Sequence, residues 1–185
     1  MKKHIHIILL ALISCFFFTA ESCHAGNVRI VIIRHAEKPD GGNNLNCQGI
    51  NRSLQLPKVL YAKYGIPAAL FIPAVESGDK TRNARMFQTI TPFAVKYNLP
   101  INSSHQEEDF SGVANDAKMR NGTVFIIWEH NEIAHIAKAL GIKKSAGLEW
   151  PDNDYDSIWV ITYKNGVATL AKDKEGLTPS ANCSF

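Results

Sequence analysis

Little in this sequence is extreme, and most of what is scarce removes a class of function. The net charge is only +3 over 185 residues, with no run of like charge. The basic stripe of a nucleic-acid-binding domain is therefore missing, and nucleic acid is not expected as a partner. No internal repeat and no low-complexity tract interrupts the chain. Cysteine is sparse, four residues in all. Long apolar runs are also wanting: Ile5 to Ala20 is mostly apolar but short for a spanning helix. At 45% hydrophobic, what remains suits one globular domain with a proper core.

The N-terminus reads as a processing signal. Lys2 and Lys3 precede the apolar stretch, and small residues follow it. That is the pattern of a secretory signal over residues 1–25, cut after Ala25 in Cys23-His24-Ala25, with a single domain over 26–185. A rival reading is a lipobox, Leu12-Ile13-Ser14-Cys15, with Cys15 lipidated; the three phenylalanines that follow would be an odd mature start. Either way the chain is expected outside the cytoplasm, periplasmic or secreted, with no stable membrane span after cleavage. Beyond the signal only Cys47 and Cys183 remain. In an oxidising compartment they can form one bridge, tying the C-terminal tail to the loop after the first strand, or stay as two thiols.

The most informative stretch is Val28 to Pro39, VRIVIIRHAEKP. Its β-branched run reads as a strand buried on both faces, as inside a parallel sheet. It delivers Arg34 and His35 at its carboxyl end, where open α/β sheets bind ligands. An arginine beside a histidine there suggests an anion site containing a nucleophile.

Asp40 to Asn46 is a loop by composition. Ile50 to Tyr64 has helical spacing, with Pro57 expected to break or restart it. Ala68 to Val75 reads as a second strand, followed by a loop at Ser77-Gly78-Asp79. Thr81 to Asn98 reads as a helix, kinked at Pro92. Leu99 to Ile101 could be a short edge strand, and Gln106 to Asn121 a loop with a short helix. Thr123 to Trp128 (TVFIIW) is a third strong strand, and Glu129-His130-Asn131 follows at its carboxyl end. A helix face closes at Gly141. Asp156 to Tyr163 and Val167 to Ala171 form a hairpin around Asn165-Gly166, and the tail after Asp173 looks loose. Strands alternating with helices predict an α/β fold, a three-layer α/β/α sandwich with a mostly parallel sheet and an antiparallel edge.

Arg85 falls near the start of the helix after the second strand. Helix N-termini favour anions, so its side chain can face the site of Arg34 and His35. His130, after another central strand, can reach the same point. Two guanidiniums and two imidazoles around one hollow suit a phosphate.

These residues resemble the histidine phosphatase superfamily, which includes phosphoglycerate mutases, acid phosphatases and phytases. The Arg-His-Gly motif stands here as Arg34-His35-Ala36, followed by Glu37; the Arg-x-x-Gln-Thr pattern as Arg85 to Thr89. Leu45 to Ser53 is similar to the Leu-x-x-x-Gly-x-x-Arg-Ala segment that opens the first helix, and His130 matches the second histidine. The resemblance covers most of Val28 to Gly141. It implies a phosphatase in which His35 attacks phosphorus and forms a phosphohistidine, later hydrolysed. Arg34, Arg85 and His130 would hold the phosphoryl oxygens and stabilise the transition state. No metal or other cofactor is implied, since the arginines supply the positive charge. The implied partner is a small phosphorylated substrate or a phosphate group of the envelope.

There are departures. Ala36 replaces glycine and adds a methyl beside the nucleophile. The general acid is not obvious: Glu107 and Glu132 each fit a relative's pattern loosely. A missing acid costs roughly 10²- to 10⁴-fold on poor leaving groups, which predicts a preference for aryl or acyl phosphates and phosphohistidine over alkyl esters. The alternative is a weak or inactive module of the same fold that binds a phosphorylated ligand. A zinc site built on His130 and His135 fails, because five residues turn a helix about 140° off the first direction. A cysteine phosphatase fails too, since only four residues separate Cys47 from Arg52 and no strong strand precedes them.

Overall fold

A computed structural model describes residues 28–76, 81–143, 148–183 and 185. The expected signal over 1–25, its rival lipidation site at Cys15 and the loop at Ser77-Gly78-Asp79 lie outside them. The strand with the first motif, β1 (Arg29–Arg34), sits inside a six-stranded sheet. Its neighbours are β4 (Thr123–Trp128), parallel, and β5 (Ser157–Lys164), antiparallel. β2 (Ala69–Pro73) and β3 (Asn102–His105) extend the parallel side. β6 (Val167–Lys174) closes the other side as a hairpin with β5. The order is β3-β2-β4-β1-β5-β6. At the hairpin turn Asn165 and Gly166 both take positive φ, 51° and 76°, as a tight two-residue turn demands.

Period-two alternation sends the β1 side chains to opposite faces. Ile30 and Ile32 join Ile126, Trp128 and Phe71 against α3 (Phe110–Lys118) and α4 (His130–Ala139). Val31 and Ile33 join Phe125, Ile127 and Ile72 against α1 (Cys47–Tyr64) and α2 (Ala84–Tyr97). The fold is thus α/β/α in three layers, with a mostly parallel sheet and an antiparallel edge. Both faces of the inner strands are covered, which is why those strands are continuously apolar.

Several local expectations change. α1 runs through Pro57, which is buried, and α2 through Pro92. An internal proline costs a helix one hydrogen bond and some crowding; packing Leu56 and Leu60 against the sheet outweighs it in α1. The edge strand begins at Asn102, because Leu99 and Ile101 pack beside the α1–α2 core.

The tail is not loose. Glu175 is buried, its N–H donates to the Asp156 carbonyl at 2.7 Å, and Leu177 packs against the α1–α2 side. Cys47 and Cys183 are joined as a disulfide with Cα atoms 4.9 Å apart. Asn51 Nδ2 donates to the carbonyls of Ser180 and Asn182, both at 2.8 Å. No helix among the described residues is long and apolar enough to cross a membrane.

Candidate active site

The register of β1 on β4 decides where the two histidines meet. Arg34 pairs with Trp128, and the His35 N–H donates to the Trp128 carbonyl at 3.1 Å. The next steps of the two chains therefore leave the sheet side by side, one carrying His35 and the other Glu129 and His130. The imidazole centroids of His35 and His130 stand 6.4 Å apart, edge to face. Both rings are buried, as is the Arg34 side chain.

Nδ1 of His35 lies 2.7 Å from the Ala36 carbonyl oxygen. A carbonyl can only accept, so Nδ1 carries a proton, and Nε2 is the ring nitrogen turned toward the Glu129 carboxylate, at 3.1 Å. The Ala36 N–H in turn donates to Thr89 Oγ1 at 2.9 Å, which couples the motif to α2. Ala36 is buried.

Arg34 is fixed by a segment that sequence reasoning passed over. Its Nη1 donates to the Asp152 carbonyl at 2.6 Å, and to those of Asp154 and Pro151 at 3.3 and 3.4 Å. Its guanidinium lies over the Tyr155 ring, 3.9 Å from the centroid. Burial lowers its pKa, against the raising effect of Tyr155, Glu129, Asp154 and Asp152. Asp152 also reaches His130, Oδ1 to Nε2 at 3.2 Å. The signal available beforehand was only the composition of Trp150 to Tyr155, two aromatics and two acids around a proline.

The central occupant is Glu129, which was not singled out as a site residue. It stands at the N-cap of α4 but makes no capping bond with its side chain. The carboxylate turns into the hollow. Oε2 lies 3.1 Å from His35 Nε2 and 3.4 Å from Arg85 Nη2, and Oε1 contacts His130 Nδ1. Burial would raise the Glu129 carboxyl; the charges and hydrogen-bonding groups of His35, His130 and Arg85 outweigh it and hold it at about 2. Arg34 Nη2 completes the ring, 3.2 Å from His130 Nδ1. His35, Arg85 and His130 thus converge on one anion, and Arg34 joins them through His130.

Some of the site's bonding capacity is unmet. Arg34 Nε and His35 Nε2 are buried without a well-formed hydrogen bond; Glu129 is near His35 Nε2 but off the bonding line. Buried polar atoms of this kind call for an explanation, such as a catalytic role or a bound water or ion. His35, Glu129 and His130 are close enough together to share a cation. Arg34 and Arg85 bring positive charge to the same place, and a net positive hollow favours an anion instead.

Of the two acid candidates, Glu107 is the one coupled to the site. Its carbonyl accepts from Trp128 Nε1 at 2.9 Å, which pins its loop to the end of β4. Burial and the Glu129 charge both push its carboxyl up. Glu132 lies in the first turn of α4, and its N–H donates to the Glu129 carbonyl at 3.0 Å. Arg82, one turn before Arg85, is exposed and pairs with Glu76 at 3.5 Å. His105 pairs with Asp109 and Asp116, and His135 lies exposed against Phe110.

The chain is similar to the protein histidine phosphatase SixA complexed with tungstate, at 14% identity and TM-score 0.54, over 80% of this chain and 97% of that one. It has the histidine phosphatase fold. A phosphoserine phosphatase mutant from Entamoeba histolytica, in complex with phosphoserine, is similar at 9% identity and TM-score 0.55, over 80% and 97% of the two chains. A mycobacterial glucosyl-3-phosphoglycerate phosphatase in complex with inorganic phosphate gives 13% identity and TM-score 0.52, over 78% and 95%. No protein-family model and no curated protein sequence matches the chain. Within the histidine phosphatase fold, His35 stands at the carboxyl end of a central strand, where bound groups are expected.

Proposed function

We propose that the chain is a metal-independent phosphatase that hydrolyses phosphate monoesters or phosphoamidates through a phosphohistidine on His35. The observation that carries this reading is the convergence of His35, Arg85 and His130 on a single carboxylate, with Arg34 joined to His130. A cluster that draws in an internal anion has the charge and donors to hold a phosphoryl group. The similar solved structures are described with tungstate, phosphoserine and inorganic phosphate, which supports the same ligand class.

The steps follow from the geometry. His35 Nε2 attacks phosphorus while Nδ1–H stays on the Ala36 carbonyl. The bond from phosphorus to the leaving oxygen or nitrogen breaks as the N–P bond forms. Arg34, Arg85 and His130 stabilise the charge on the phosphoryl oxygens. Glu107, with its raised carboxyl pKa, is the better placed donor of a proton to the leaving group. Water then attacks the phosphohistidine, giving inorganic phosphate and free His35. Glu107 is coupled to the site only through its loop and its charge, so aryl and acyl phosphates and phosphohistidine are expected to outrun alkyl esters.

The Cys47–Cys183 disulfide and the N-terminal signal pattern support export to the periplasm or beyond. There the substrate would be a free organic phosphate or a phosphate of the envelope. The test is phosphate release from an aryl phosphate with EDTA present, comparing the native chain with His35→Ala. Turnover that survives EDTA and vanishes with His35 supports the enzyme. Absence of turnover in both, with phosphate still bound, supports the binding-module reading.

A further inference from the structure

The position of the Glu129 carboxylate asks for its own explanation. At the N-terminus of α4 the helix dipole favours an acid, which can point along the axis toward the first backbone N–H groups. The Glu129 side chain makes no capping bond there. Each polar partner of its side chain is a group that would otherwise hold phosphate: His35 at 3.1 Å, Arg85 at 3.4 Å, and His130. We propose that Glu129 is a tethered competitor for the phosphoryl site, filling the substrate's seat at rest and yielding it only when the phosphate turns its side chain out. This rests on the phosphatase reading of the hollow.

The charges around the carboxylate leave no room for sharing. Arg34 and His35 face it from the end of β1, Arg85 from α2 and His130 from α4; Glu107 approaches from the loop before α3. A phosphate entering beside an ionised Glu129 would meet like charge at contact distance, so one anion must leave. A phosphate monoester carries up to two charges and three free oxygens, so it can satisfy both arginines and both imidazoles at once. A carboxylate carries one charge and two oxygens. A terminal phosphate group can therefore win the seat. A phosphodiester or a simple carboxylate, with a single charge, gains too little over Glu129 to displace it. The resident acid would thus select terminal, dianionic phosphates and screen out monoanions.

The test is calorimetric titration of the folded protein with tungstate, a tetrahedral dianion. High salt is used so that long-range charge effects are screened. A resident competitor lowers apparent affinity by the fraction of time the seat is taken. Glu129→Ala is expected to bind tungstate about tenfold or more tighter than the native chain, and the isosteric Glu129→Gln to move the same way. Glu132→Gln removes a neighbouring negative charge, in the first turn of α4, that does not occupy the seat, and is expected to stay near the native affinity. Should neither Glu129 variant gain affinity, or should Glu132→Gln gain as much, the competitor role is overturned; if binding still depends on Arg85, the phosphatase reading stands. A native chain and variants that all fail to bind tungstate would remove both.

Discussion

Arg52 grips Glu37 with a two-pronged ion pair, Nε to Oε2 at 2.9 Å and Nη2 to Oε1 at 2.8 Å. Its remaining arm, Nη1, reaches Glu175 Oε2 at 2.5 Å. All three side chains are buried. They tie the motif strand, the first helix and the tail together two residues beyond His35. The crossing is tight: a Cβ on Gly49 would come within 2.2 Å of the Glu37 carbonyl oxygen, so only glycine fits there.

Removing Arg52 would leave the buried Glu37 carboxylate without its partner, and Glu175, which burial pushes up to about 8, without its donor. Breaking one side of a buried ionic pair typically costs about 3–5 kcal/mol. Arg52→Met is therefore expected to lower the urea midpoint by a corresponding amount. Arg52→Lys should recover only part of it, because an ammonium cannot reproduce the fork. A native-like midpoint for Arg52→Met would mean that the triad contributes nothing to stability.

Glu129 gives a pH signature. Its folded carboxyl is held at about 2, down from an ordinary 4.5. The unfolded chain binds the proton first as pH falls, so the stabilisation is fully present above about pH 5 and drains away between there and pH 2. The size is on the order of a few kcal/mol. Thermal melts between pH 5 and 2 should fall more steeply for the native chain than for Glu129→Gln. Parallel curves would show that the carboxylate is not held by its cations.

The Arg34 guanidinium lies over the Tyr155 ring. A partly desolvated contact of this kind is worth about 1–2 kcal/mol. If it holds the guanidinium in place for phosphate, Tyr155→Ala should lose roughly five- to thirtyfold in kcat/KM, and Tyr155→Phe, which keeps the ring face, should lose little. Equal losses would transfer the role to the hydroxyl.

How legible this was depends on distance along the chain. The strand, the Arg34-His35 pair and the strand-to-helix step before His130 are local, carried by apolar runs and the residues that end them. Arg85 could be placed from helix phase. Glu129 was visible only as the acid before His130, because a side chain's choice between capping its helix and entering a hollow depends on partners 94 and 44 residues away. The carbonyls that hold Arg34 lie more than 115 residues downstream, in a segment without periodicity. The buried tail escaped notice for the same reason: Glu175 reads as one more polar residue until Arg52 is placed beside it. Pro57 misled in the opposite sense, since a local rule about helix breaking yielded to packing on the sheet.

The Cys47–Cys183 bridge closes a loop of 136 residues. Long loops gain most from closure, typically about 2–4 kcal/mol. Reduction, or the Cys47→Ser and Cys183→Ser double variant, should slow migration on a denaturing gel and lower the melting temperature while leaving the site assembled. Two freely titrating thiols in the oxidised, folded protein would exclude the bridge.

The most direct measurement is a rapid acid-free quench of the enzyme turning over an aryl phosphate, followed by mapping of the phosphorylated peptide. The expected result is a phosphoryl group on His35, lost in acid and stable in base, and absent from His35→Ala. Steady phosphate release with His35 never modified, or an alanine at that position that works as well as histidine, would contradict it.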